Sequence, residues 1–187
     1  MMNRILFVTL VTLLLGATFL LRTEHAAMDG FAFDAAALND KTIWTQVNAQ
    51  PYHIPTELDA LCSAPTSEQY KSISDRVGNP HIVPSIVVFV NNAGKQAMFA
   101  KQPRFPEGSV IVKQKLGAFY ERNKPLLYTV MRKREAGYNP AVGDWEFLVY
   151  AGDGKQLQAS GKLENCQACH VGKKDSDFVF RPYVKLE

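Results

Sequence analysis

The five residues Cys166-Gln167-Ala168-Cys169-His170, close to the C-terminus, limit what this chain can fold into more than any other feature, because two thiols and an imidazole must share one short segment. Three Cys and four His in 187 residues would give such a pentapeptide by chance in about one chain in a thousand. A thioredoxin-like redox pair opens a helix early in a fold, after a first strand, whereas this pair comes near the end of the chain. A structural zinc site needs a second Cys or His pair at ligand spacing, and His25, His53 and His81 stand apart from one another. What remains is haem attachment, in which two thiols add across the haem vinyl groups and the adjacent imidazole lies beneath the iron as its proximal ligand. The expectation is one covalently attached haem c, bonded to Cys166 and Cys169, with His170 on the metal.

The N-terminus fits that chemistry, since it reads as a targeting segment. Met1-Met2-Asn3-Arg4 carries one positive charge, and residues 5–21 are apolar apart from Thr9, Thr12, Gly16 and Thr18. The stretch is slightly long for the apolar core of a signal peptide and slightly short for a spanning helix, which needs about 20 residues. Ala26-Ala27 offers a cleavage site, although His25 stands two positions before Ala27. Residues 1–27 are therefore expected to be a signal peptide or an N-terminal membrane anchor, with cleavage favoured, and residues 28–187 an exported domain, periplasmic in a bacterium. Three cysteines make no disulfide scaffold. Cys62 reads as a small buried apolar residue, or as a thiol that pairs between chains, and carries no assigned role. With 47% apolar residues the chain can bury one core, and its net charge of +3 is spread without long runs, which argues against nucleic acid as a partner. A weakly basic surface suits an acidic redox partner but is more often an ordinary solvated surface.

Strand signals dominate the middle of the chain. Residues 28–39 form an alanine-rich entry segment, and residues 42–47 fit a strand or the start of a helix. Prolines make residues 51–65 irregular, and residues 67–77 suggest one or two helical turns. Residues 81–90, rich in Ile and Val, predict a strand that ends at the turn-forming Asn91-Asn92-Ala93-Gly94, followed by a short helix over residues 95–101. In residues 109–115 alternation sets Val110, Val112 and Gln114 on one side and Ile111, Lys113 and Lys115 on the other. Residues 126–134 and 145–151 give two more strands, the second closed by Gly152-Asp153-Gly154, a hairpin signal. Residues 161–169 enter a short helix that carries the Cys-x-x-Cys-His motif. The expected fold class is α+β, mainly an antiparallel sheet with flanking helices. Small electron-carrier cytochromes and four-helix-bundle cytochromes both need more helix than this.

Four motifs follow one another in order: Gly108-Ser109-Val110-Ile111-Val112-Lys113, Gly143-Asp144-Trp145-Glu146-Phe147, Cys166-Gln167-Ala168-Cys169-His170 and Asp177-Phe178-Val179-Phe180. Together they make a chain that resembles the cytochrome P-460 family, which includes the cytochromes c′-beta, over residues 81–187. The resemblance implies an antiparallel sheet with flanking helices, often in a homodimer, around a five-coordinate haem open to small ligands. In members that oxidise hydroxylamine it implies a lysine crosslinked to the haem ring, and Lys113 matches that position. In the c′-beta members it implies binding of nitric oxide or carbon monoxide in a pocket lined by aromatics. The bland reading of Lys113 is a strand residue with a solvated head.

The residues leave several roles open. Oxidising hydroxylamine removes protons as well as electrons, so a carboxylate is expected near the iron, and Glu107, Glu121 and Glu146 are available. An aromatic cap would favour gas binding, with Phe89, Phe99, Phe105 and Phe119 as candidates that also suit an ordinary core. The alternative is a periplasmic electron carrier with a six-coordinate haem, which requires a Met or His as sixth ligand from among Met98, Met131, His53 and His81.

Overall fold

The structure is a computed structural model that describes residues 31–54, 85–116 and 125–185. The leader over residues 1–27, the helical turns over 67–77, Cys62, His81, Phe119 and Glu121 lie outside the described residues.

Val, Ile, Phe, Trp and Tyr are frequent in four runs whose branched and aromatic side chains suit a pleated surface, and these runs with a fifth strand build the sheet. In chain order they are β3 (Ser85–Asn91), β4 (Val110–Leu116), β5 (Pro125–Lys133), β6 (Trp145–Ala151) and β7 (Leu157–Gly161), each antiparallel to the next. Two short strands, β1 (Trp44–Gln46) and β2 (Tyr52–His53), share the outer edge of β3. Between them the Asn48 side chain takes the place of a backbone unit: its Oδ1 accepts from Val88 N at 2.7 Å and its Nδ2 donates to Ile86 O at 2.9 Å. Two α-helices, α1 (Asn92–Phe99) and α2 (Glu164–His170), and three short 3-10 helices complete the described elements. The protein is thus α+β and mainly antiparallel sheet, as the sequence pattern predicts.

Two local expectations need correction. Asn91-Asn92-Ala93-Gly94 is no turn but the start of α1. Asn91 caps that helix, its Oδ1 accepting from Gly94 N at 3.1 Å and from Val110 N at 2.9 Å, so one side chain joins β3, α1 and β4. Accordingly α1 begins three residues earlier than predicted and ends at Phe99. Outside these two, β7 is a strand that the sequence pattern does not predict: its mixed sequence Leu-Gln-Ala-Ser-Gly carries little strand preference and owes its form to pairing with β6.

Register decides what each face carries. Ile111, Met131 and Phe147 are cross-strand neighbours, as are Lys113 and Thr129 one step away, so these side chains share one face. The core lies on that side, where Val88, Val90, Met98, Trp145 and Val179 are fully buried together. The opposite face carries Tyr128 and Tyr150, on which Phe33 packs at 5.2 and 5.0 Å.

Candidate functional site

The motif helix α2 begins after Leu163 with Glu164 in its first turn, where a negative charge suits the helix dipole. Cys166, Cys169 and His170 stand at i, i+3 and i+4, so helical geometry puts all three on one face. That face closes one end of a cavity of about 290 Å3. Its sheet wall comes from Ile86, Ile111, Lys113, Lys115, Met131 and Phe147, and the chain after α2 closes it with Phe180, Pro182 and Tyr183. Cys166 and Cys169 are thiols, neither in a disulfide, and both are half-buried.

His170 is 8% exposed. Its ring packs on Phe147 at 5.1 Å and edge-on to Phe180 at 5.1 Å. Nδ1 lies 2.6 Å from the Phe178 carbonyl oxygen, which can only accept, so Nδ1 carries the proton and Nε2 keeps its lone pair. Burial pushes the imidazole down to about 3, the charge of Lys113 adds to the effect, and the bond to Phe178 opposes it. A neutral ring with Nε2 unprotonated is the form that binds a metal.

The sheet brings Lys113 to this site. Its ammonium lies 5.5 Å from the centre of the Phe180 ring, and that of Lys173 lies 4.9 Å from the same ring. Lys115, 6% exposed, lines the cavity two residues further along β4, as alternation requires. Met131 also lines the cavity, whereas Met98 is buried in the core and His53 sits exposed on β2.

Several expected lining residues are elsewhere. Phe105 packs edge-on to Trp145 at 5.4 Å in the core, Phe99 is exposed on α1, and Phe89 is on the opposite face of β3 from Val88 and Val90. Glu107 sits in the exposed turn before β4. Glu146 faces away from the cavity and pairs with Arg134 at 3.1 Å and Arg132 at 3.7 Å. Among the described residues no carboxylate lines the cavity. The aromatics that do line it, Tyr52, Phe147, Phe180 and Tyr183, were not singled out in the sequence. For Phe147 and Phe180 the signal was there, since each belongs to one of the four motifs and Phe147 alternates with Trp145.

A family model described as cytochrome P460 matches residues 67–181, more than half of the chain. The chain belongs to the cytochrome P460 family. No curated protein matches it. As a cytochrome P460 the protein takes a haem, and the site suits that group. Apolar walls would cover a macrocycle, and a neutral imidazole with a fixed tautomer stands ready as an iron ligand beside two thiols on the same helical face.

Proposed function

We propose that this cytochrome P460 is an exported mono-haem c protein that binds small nitrogen species, hydroxylamine and nitric oxide among them, at a five-coordinate haem. Cys166 and Cys169 hold the haem through thioether bonds, and Nε2 of His170 ligates its iron. The observation that carries this reading is the bond from His170 Nδ1 to the Phe178 carbonyl at 2.6 Å, on a residue that lines the cavity together with both thiols. When bound, the haem supplies an iron that takes up a small ligand and exchanges one electron. The chain's own residues do the rest: the carbonyl orients the imidazole, Phe147 and Phe180 keep water from it, and Lys113 adds a positive charge nearby. A homodimer and a periplasmic redox partner go with this reading.

Oxidation of hydroxylamine is the finer reading, supported by Lys113 in the cavity wall, where a crosslink to the ring would alter the macrocycle. The six-coordinate electron carrier rests on Met131, the one methionine among the described residues that lines the cavity.

The test is expression with a haem c maturation system, followed by the ferrous optical spectrum and mass spectrometry of the haem peptides. A high-spin ferrous spectrum with haem on the Cys166 and Cys169 peptide is the expected result. Haem mass on the Lys113 peptide as well would establish the oxidising type. A low-spin ferrous spectrum would point to the electron carrier, and a chain without covalent haem would sink the attachment.

A further inference from the structure

Two of the sequence motifs, Gly143-Asp144-Trp145 and Asp177-Phe178-Val179-Phe180, interlock beside His170. Asp177 and Phe178 are consecutive residues with φ of 51° and 63°, left-handed backbone that residues with a side chain rarely adopt. Such backbone persists where the surroundings over-determine it, and it concentrates at functional sites. Asp177 is held at each of its polar groups. Its N–H donates to Lys174 O at 3.1 Å, and its carbonyl accepts from Trp145 Nε1 at 2.9 Å. Its carboxylate accepts from Phe105 N at 2.7 Å and from the Lys133 ammonium at 3.0 and 2.9 Å. From the other side Gly143, at φ 66°, leaves no slack, because a Cβ there would come within 2.7 Å of the Phe178 ring and 3.1 Å of the Asp177 carboxylate. Phe178 N–H donates to Lys173 O at 2.7 Å, which leaves the direction of one peptide group as the outcome: the Phe178 carbonyl, aimed at His170 Nδ1.

We propose that Asp177, clamped by Lys133 and Trp145, is a positioning residue for His170: it aims the Phe178 carbonyl at Nδ1–H and thereby sets how strongly Nε2 donates to a bound iron. The role rests on the reading of His170 as the axial ligand. An acceptor on the far ring nitrogen makes an imidazole a more basic ligand, and a more basic ligand favours ferric over ferrous iron. Lys133 ends β5 with its side chain on the core side of the sheet, 5.0 Å from the Trp145 ring, so the clamp ties the ligand's acceptor to the end of a strand paired on both sides.

The experiment uses the full chain loaded with haem. Asp177→Asn keeps an oxygen for Phe105 N–H but loses the charge that holds Lys133; Lys133→Met opens the clamp from the other end, and Lys133→Arg restores it. Glu146→Gln, which breaks a buried ion pair on the opposite face, is the control for lost stability. The readouts are the iron–histidine stretching band of the ferrous protein and the reduction potential, taken well below the unfolding temperature. Asp177→Asn and Lys133→Met are expected to lower the band frequency and raise the potential. A change of about tenfold in the redox equilibrium, which is 59 mV for one electron, is the expected scale. Lys133→Arg should stay near the parent, and Glu146→Gln should lose stability with the band unmoved. Should Asp177→Asn fail to fold, the two Lys133 variants carry the comparison. A band and potential unmoved in folded Lys133→Met would overturn the positioning role and leave an ordinary structural ion pair. Absence of the iron–histidine band in a high-spin ferrous parent would overturn both the ligation and the positioning.

Discussion

Lys113 and His170 pack on the same aromatic ring, that of Phe180: the ammonium lies 5.5 Å from its centre and the imidazole meets it edge-on at 5.1 Å. A cation so close to an iron ligand favours the ferrous over the ferric ion, since the ferric form carries one more positive charge. Lys113→Met is therefore expected to lower the reduction potential, while haem stays attached through Cys166 and Cys169. The lost cation–π contact should cost about 1 kcal/mol of stability. Equal potentials in the parent and the variant, measured by redox titration, would take Lys113 out of the site.

Met131 separates ligand binding from electron carriage. It lies opposite Phe147 in the ladder, and Phe147 packs on the imidazole at 5.1 Å, so the strand register keeps Met131 beside the residues that support His170. Met131→Leu is an apolar replacement of similar volume and should cost less than about 1.5 kcal/mol. The ferrous spectrum is expected not to change. A low-spin parent whose low-spin features vanish in Met131→Leu would make the protein a six-coordinate carrier.

Period-2 alternation made much of this site legible. It put Lys113 and Ile111 on one face of β4, and the structure puts both in the cavity wall; Lys115 followed from the same rule but carried no motif to draw notice. The motif helix was legible because its three reactive residues recur at helical spacing. The Phe178 carbonyl was not, since a backbone acceptor leaves no trace in composition and depends on two left-handed residues without glycine. Asn91-Asn92-Ala93-Gly94 misled because asparagine serves turns and helix N-caps equally well, and only contacts with β4 decide between them. The carboxylates misled for another reason. Glu146 sits between Trp145 and Phe147, both on the core side of the sheet, and so had to point the other way.

The His170 imidazole gives the haem-free protein a pH signature. Its ordinary value is 6.5, and burial, aided by Lys113, takes it down to about 3 in the folded chain. Between those values the unfolded chain binds a proton that the folded chain does not, so stability is full above about pH 6.5 and falls as the pH drops toward 3. The slope for one such group approaches 1.4 kcal/mol per pH unit, about the energy of one pKa unit. Urea midpoints of a haem-free Cys166→Ala/Cys169→Ala chain, taken at several pH values, should show it, and His170→Gln should remove that part. The same slope in both proteins would mean that the imidazole is solvated.

Glu146 tests the assignment of the two sheet faces. Its carboxylate accepts from Arg134 Nη1 at 3.1 Å on the side away from the cavity, with Arg132 at 3.7 Å. Glu146→Gln keeps an oxygen for Arg134 but removes the charge, and should cost about 1–3 kcal/mol in unfolding free energy, as hydrogen bonds to charged groups do. Because that carboxylate is on the face of β6 opposite the cavity-lining Phe147, the proposed binding of nitric oxide and any turnover of hydroxylamine should stay within about twofold of the parent, a difference of about 0.4 kcal/mol. Ligand binding by stopped flow, set beside thermal unfolding, measures both. A tenfold loss of binding or turnover at undiminished stability would make Glu146 the proton acceptor after all, and would require that β6 turn its faces over in the haem-loaded protein.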